Sequence, residues 1–342
     1  MRRTAPAALL TAWAVACAPA ADGPALHVFE GSTMGTTFAV RVVAEGLGEA
    51  RLAALREGVG QVLARIDERM STWRPESELS RFNRHRSTEP FPVSADTLAV
   101  FRHALEISEL TGGAFDVTVA PLVDAWGFGP AGRPAAFPDS TEVERLRAHV
   151  GYRQLAIDAQ ASTIRKSHAS VSADLSALAK GYAVDQGAEL LRAEGLESYL
   201  VEVGGEVRAR GHSERGDVWR VGIERPAPGP PVLQRQFPLR DRALATSGDY
   251  RNYYELEGRR LSHTIDPRTG EPVAHGLASA SVIDPLCVRA DALATALEVL
   301  GPEDGFALAT EHGWAALLVG RQPDGALHER ETPAFTALTA ED

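Results

Sequence analysis

Ser198-Tyr199-Leu200-Val201-Glu202-Val203-Gly204-Gly205-Glu206-Val207-Arg208-Ala209-Arg210-Gly211 reads as a strand whose apolar positions Leu200, Val201, Val203 and Val207 flank two glycines. Paired glycines inside such a pattern suit a bulge or a close backbone approach. Upstream, the spacing predicts a helix over 176–194 ending at Gly195, fed by a strand at 170–174, with short strands at 154–158 and 162–166 before it. Downstream, strands are predicted at 218–224, 236–239, 243–246, 251–256, 278–283 and 315–320, with helices at 289–300 and 303–311. The proline-rich 226–231 reads as a hairpin loop.

Nearer the N-terminus, strands at 27–30 and 37–43 turn around the small residues 31–35. Leu52, Leu55, Val59, Val62, Leu63 and Ile66 lie on one face of a helix over 49–70. A second helix spans 94–111, with Ser94 as its cap and Gly112-Gly113 as its stop, and a strand follows the glycines. After the loop 127–140, a helix over 141–150 takes Ser140 or Thr141 as its cap and ends at Gly151. No strict βαβ rhythm and no repeat of 20 to 50 residues emerges, so the fold class is α+β: a single domain of mixed β-sheets with flanking helices.

With 342 residues, 44% hydrophobic and 24% charged, the chain matches ordinary globular composition. A formal charge of -11 and the lack of a dense basic run argue against nucleic acid as a partner. Residues 1–16 read as a signal peptide: Arg2 and Arg3 precede an apolar run too short to span a bilayer. Ala14-Val15-Ala16-Cys17 looks like a bacterial lipoprotein processing site with Cys17 as the lipidated residue; cleavage at an ordinary alanine site within 18–20 is the alternative. Residues 17–26 form a tether, 27–335 the domain and 336–342 a tail. The expected location is outside the cytoplasm, touching a membrane only through the lipid. Cys287, the one other cysteine, reads as a buried thiol in a strand.

Three constellations could carry chemistry. In Ser172-Ala173-Asp174-Leu175-Ser176-Ala177-Leu178-Ala179-Lys180-Gly181 an Asp precedes a helix start, where free N–H groups, the helix dipole and Lys180 favour phosphate oxygens. The alternative is Asp174 as a cap and Lys180 as a solvated helix residue. In Arg289-Ala290-Asp291-Ala292-Leu293-Ala294-Thr295-Ala296, Asp291 and Thr295 share a helical face, and a carboxylate, a hydroxyl and a carbonyl suit a hard cation such as magnesium; otherwise Asp291 favours the helix N-terminus and Thr295 packs its methyl. In Ser262-His263-Thr264-Ile265-Asp266-Pro267-Arg268-Thr269-Gly270, His263 is suited to proton work and Arg268 to holding a carboxylate or phosphate, unless the histidine is structural. Met34, Trp73 and Thr111-Gly112-Gly113-Ala114-Phe115-Asp116 could frame a flat ring or simply pack.

Taken in order, these motifs resemble the ApbE family of FAD:protein FMN transferases over about residues 27–335. The likeness also rests on Met34-Gly35-Thr36-Thr37, Met70-Ser71-Thr72-Trp73, Ser80-Arg81-Phe82-Asn83, Gly204-Gly205-Glu206 and Ser247-Gly248-Asp249-Tyr250. The resemblance implies that Met34, Trp73, Ala114, Phe115 and Asp116 line an FAD site that Asp174, Lys180, His263 and Ile265 also contact. It further implies magnesium on Asp291, Thr295 and the carbonyl of Ala177, with Leu175-Ser176-Ala177 standing where many relatives carry Leu-Gly-Ala. Magnesium and Lys180 would neutralise the pyrophosphate while His263 deprotonates a Thr or Ser hydroxyl, transferring FMN and releasing AMP. The implied acceptor is a flavin-carrying subunit of a redox complex, such as an NADH:quinone reductase, bearing a short flavinylation motif. A magnesium-dependent FAD pyrophosphatase and a non-catalytic periplasmic FAD carrier are the rival readings.

Overall fold

The computed structural model describes residues 23–227, 229–249, 253–256, 259–322 and 324–340. Residues 1–16, read as a signal peptide, and Cys17 lie outside the described residues. An eight-stranded antiparallel sheet organises the domain, in the order Ala25–Thr33, Thr36–Ala44, Tyr199–Val203, Glu206–Arg210, Ala243–Gly248, Leu277–Asp284, Ala315–Arg321 and Leu327–Glu331. Side chains alternate across it with the period of two that strands impose. Val40, Val42, Val201, Val203, Ala245 and Val282 face the main core, built with the helices Glu49–Met70, Ala95–Leu110, Ser176–Ala193 and Cys287–Glu311. Val43, Leu200, Leu244, Ile283, Leu317 and Val319 face a smaller core closed by the hairpin Arg220–Glu224/Leu233–Pro238 and by Phe335 of the helix Pro333–Thr339.

Two tight reversals lie at one end of the sheet. Met34 and Gly35 (φ 48° and 73°) join Thr33 to Thr36, while Gly204 and Gly205 (φ 65° and 106°) join Val203 to Glu206. The Gly204 amide donates to the Thr37 carbonyl at 2.9 Å, which ties the turns together. The glycines of the 198–211 stretch are therefore a hairpin turn between two strands, not a bulge in one. Two successive residues at positive φ reverse a chain with the twist a hairpin needs.

Other expectations are corrected. No strand follows Gly113; a 3-10 turn, Val117–Val119, leads into the helix Ala120–Ala125, which Pro121 starts well because its missing N–H is not needed there. Residues 171–175 are irregular instead of a strand, held by Asn83, whose side-chain amide donates to the Ala173 carbonyl and accepts from the Ala173 N–H, both at 2.8 Å. Asp139 caps the helix Ser140–Arg147, its carboxylate accepting from Glu142 N–H at 2.9 Å. Cys287 is buried as expected but opens a helix, which breaks at Gly301 (φ 82°). A satellite cluster of Leu122, Trp126, Val143, Leu261 and Ile265 sits apart from both cores. Among the described residues no helix is long and apolar enough to cross a membrane.

Candidate active site

The helices Ser176–Ala193 and Cys287–Glu311 touch backbone to backbone at Gly181. A Cβ there would lie 2.5 Å from the Cys287 carbonyl oxygen and 2.9 Å from Val288 Cα, so only glycine permits the approach. The crossing brings Lys180 to Asp291. Lys180 Nζ stands 3.9 Å from Asp291 Oδ1 and 2.6 Å from Glu206 Oε1, and both carboxylates are 3% exposed. Burial works against the Lys180 charge, but Asp291 and Glu206 outweigh it and hold its pKa above the ordinary value. Burial pushes both carboxyls up, against the pull of Lys180.

The oxygen donors around Asp291 form a mixed set. Asp291 Oδ2 accepts from the Gly181 N–H at 3.0 Å. That amide, four residues on, is the one that ordinarily serves the Ala177 carbonyl in an α-helix, so Asp291 competes for it beside that oxygen. Thr295, one turn beyond Asp291, shares a hydrogen bond of 2.9 Å with the Ser247 hydroxyl. Among the described residues no group of three or more His, Cys, Asp or Glu gathers as a metal cluster. One carboxylate with hydroxyls and a carbonyl is nonetheless the oxygen chemistry that magnesium takes while keeping water or phosphate in its other positions.

Beside Lys180 opens a cavity of about 530 Å³, lined by Met34, Met70, Trp73, Ser176 and Ala179 among others. Trp73 is 65% exposed, an unusual position for so large an apolar ring. Asp174 precedes the helix whose Ser176 lines the cavity, its Oδ1 accepting from the Ser176 N–H at 2.8 Å and the Ser176 hydroxyl at 2.5 Å. Burial raises the pKa of Asp124, and the charge of Asp174 adds to the rise.

The remaining candidates are placed differently. Ala114 and Phe115 are buried. Asp116 has both oxygens engaged: Oδ1 accepts from the N–H and hydroxyl of Thr118 at 2.8 and 2.6 Å, Oδ2 from the Tyr152 N–H at 2.5 Å. Burial raises its pKa against those bonds. Ile265 belongs to the satellite cluster. His263, half-buried, meets Phe128 edge-on at 6.3 Å, and Phe128 stacks on Tyr254 at 4.7 Å. Arg268 is paired through two nitrogens with Asp266, at 2.9 and 2.8 Å, so it locks its own turn and does not reach out for an anion. Thus Met34 and Trp73 line the cavity with Lys180; Ala177, Lys180, Asp291 and Thr295 lie on the two crossing helices; Asp174 holds the Ser176 that lines the cavity; and His263 and Ile265 sit with the satellite cluster.

Sequence reasoning gave no role to three contributors. Glu206 was quoted in a motif but read as part of a bulge; the signal was an acid directly after a glycine pair. Ser247 and Asn83 also stand in motifs of the resemblance, but their one hydrogen bond to Thr295 and two to Ala173 follow from no spacing in the sequence.

A model of the ApbE family matches residues 34–318. The chain is 42% identical over 306 residues to the FAD:protein FMN transferase of Vibrio cholerae, covering 89% of this chain and 90% of that one. It is 39% identical over 299 residues to the protein of that name from Escherichia coli, covering 87% and 85%. The apo crystal structure of the Pseudomonas stutzeri flavinyl transferase ApbE superposes with a TM-score of 0.85 at 39% identity, over 93% of this chain and 98% of that one. Fold and relatives define an enzyme of the transferase class. The chain belongs to the ApbE family.

Proposed function

We propose that this chain is a magnesium-dependent FAD:protein FMN transferase, moving FMN from FAD to a Thr or Ser hydroxyl of a flavoprotein subunit and releasing AMP. The observation that carries the reading is the cavity that Met34, Trp73 and Lys180 line together, with the Asp291 carboxylate 3.9 Å from the Lys180 ammonium. Trp73 offers a ring face for stacking and Met34 a soft side chain. Lys180 and the positive dipole end of the Ser176 helix draw the pyrophosphate oxygens. Magnesium, when bound to Asp291, Thr295 and the Ala177 carbonyl, supplies charge against that developing on the phosphates. His263 takes the proton of the incoming hydroxyl, and Asp174, Ile265 and the backbone of 114–116 complete the flavin contacts. The acceptor is a subunit of a redox complex, an NADH:quinone reductase or a relative. Arg2, Arg3, the apolar run after them and Cys17 support export to the periplasmic face of a bacterial membrane with a lipid anchor.

The protein is incubated with FAD, magnesium and a threonine-bearing acceptor domain, and acceptor mass and free AMP are followed together. Equal amounts of AMP and FMN-modified acceptor are expected. AMP with unmodified acceptor would make the chain a pyrophosphatase, and FAD left whole would make it a carrier.

A further inference from the structure

Lys180 has two buried carboxylates within reach and rests on the one that is not a proposed cation ligand: 2.6 Å from Glu206, 3.9 Å from Asp291. We propose that Glu206 is a positioning residue that holds the Lys180 ammonium away from Asp291 and so keeps the Asp291 carboxylate open to a divalent cation. The inference rests on Asp291 being a cation ligand.

The turn before Glu206 sets this arrangement. Gly204 lies against the lysine stem, since a Cβ there would stand 3.3 Å from Lys180 Cδ and 2.9 Å from Thr36 Cγ2. The same reversal delivers Glu206 at its far side, so one turn sets both the path of the stem and the place of its counter-ion. Among the described residues the Glu206 side chain bonds no other residue: Oε1 takes the ammonium and buried Oε2 has no partner. An ammonium is a compact charge on a flexible four-carbon stem, so it follows the nearest anion. Without Glu206 that anion is Asp291, already within 3.9 Å. Net charge changes in the same direction. Two carboxylates and one ammonium carry a net charge of about -1, which attracts a cation; with Glu206 neutral the sum is about zero.

Competition and simple charge loss predict different couplings between the two residues. Charge loss acts alike whatever the lysine does, whereas competition appears only when the lysine is both present and released, which a double-mutant cycle isolates. Mn²⁺ binding to the full-length protein, read from the free-ion electron paramagnetic resonance signal, serves as the probe for the wild type, Glu206→Gln, Lys180→Met and the double variant. Glu206→Gln is expected to weaken Mn²⁺ binding about tenfold or more. Lys180→Met is expected to change it by less than about threefold in the wild type, yet to restore about tenfold in the Glu206→Gln background. An equal effect of Lys180→Met in both backgrounds would overturn the proposal, as would wild-type affinity in Glu206→Gln. Wild-type protein that binds no Mn²⁺ would instead overturn Asp291 as a cation ligand. Thermal melts check that all four proteins fold; should Glu206→Gln fail to, Glu206→Asp, which keeps the charge but shortens the reach, is expected to weaken Mn²⁺ binding and Lys180→Met to restore it in that background, and an equal effect of Lys180→Met with and without Glu206→Asp would overturn the proposal.

Discussion

Gly181→Ala tests whether the helix crossing holds the site together. The added methyl would sit 2.5 Å from the Cys287 carbonyl oxygen, so ordinary contact near 3.4 Å requires the two helices to part by roughly 0.9 Å at this point. Both neighbours are backbone and cannot rotate away. Overpacking of this kind costs about 1–3 kcal/mol. Separation also stretches the Gly181 N–H bond to Asp291, a hydrogen bond to a charged group worth about 1.5–3 kcal/mol. Against these stands the better helix propensity of alanine, about 0.8–1.0 kcal/mol. The balance is a loss of about 3 kcal/mol, or a fall in Tm of about 4 °C for a chain of this size. Because Lys180 and Asp291 ride on the two helices, kcat/KM for FMN transfer is expected to fall about 100-fold, the order that a displacement near 1 Å costs. Calorimetry and a transfer assay on the same preparation measure both. A variant melting within about 1 °C of the wild type with full activity would refute the reasoning, since the propensity gain alone would then describe the site.

Glu298 is buried, neither of its oxygens has a hydrogen-bond partner among the described residues, and burial, then the charge of Asp249, pushes its pKa well above the ordinary carboxylate value. The folded state keeps a proton that the unfolded chain releases, so this group costs stability increasingly as pH rises from its ordinary value upward. Glu298→Gln is expected to be more stable than the wild type by a margin that widens between about pH 5 and 8 in urea titrations; a constant margin would count against it. Lys166 donates to the Phe82 and His85 carbonyls at 2.7 and 3.1 Å, and burial, then Arg86, pushes its pKa down to about 8. The unfolded chain holds that proton longer, so the wild type should gain stability as pH rises from about 8 to 10.5, a gain absent in Lys166→Met. His263→Ala should retain FAD binding by fluorescence quenching while losing FMN transfer by about 100-fold or more; full transfer would remove His263 from the role of base.

Long periodic helices were legible because burial alone sets their spacing: 49–70 was read to the residue, and 176–194 to within one. The strands 243–246 and 315–320 were likewise found, since both faces of this sheet are covered and their apolar runs are continuous. What escaped was decided by partners far along the chain. Residues 171–175 look like a strand in composition, yet Asn83, 90 positions before Ala173, takes that residue's N–H and carbonyl, and the Val117 carbonyl takes the Asp174 N–H. The Gly204-Gly205 pair is compatible with a bulge or a turn until the Thr37 carbonyl claims the Gly204 amide. Lys180 and Asp291 were each legible as charge-bearing positions on helices, but Gly181, which lets them meet, reads as an unremarkable helix glycine until the second helix is in place. Arg268 was misread because a guanidinium beside Asp266 is as ready to close its own turn as to hold a ligand.

The first strand has a topographic consequence. The described chain enters the sheet at Ala25, and the cavity residue Met34 lies just past the far end of that strand. Nine extended residues span roughly 30 Å. The chain's entry into the sheet and the cavity thus lie at opposite ends of one strand, so a contact made at the entry leaves the cavity mouth uncovered.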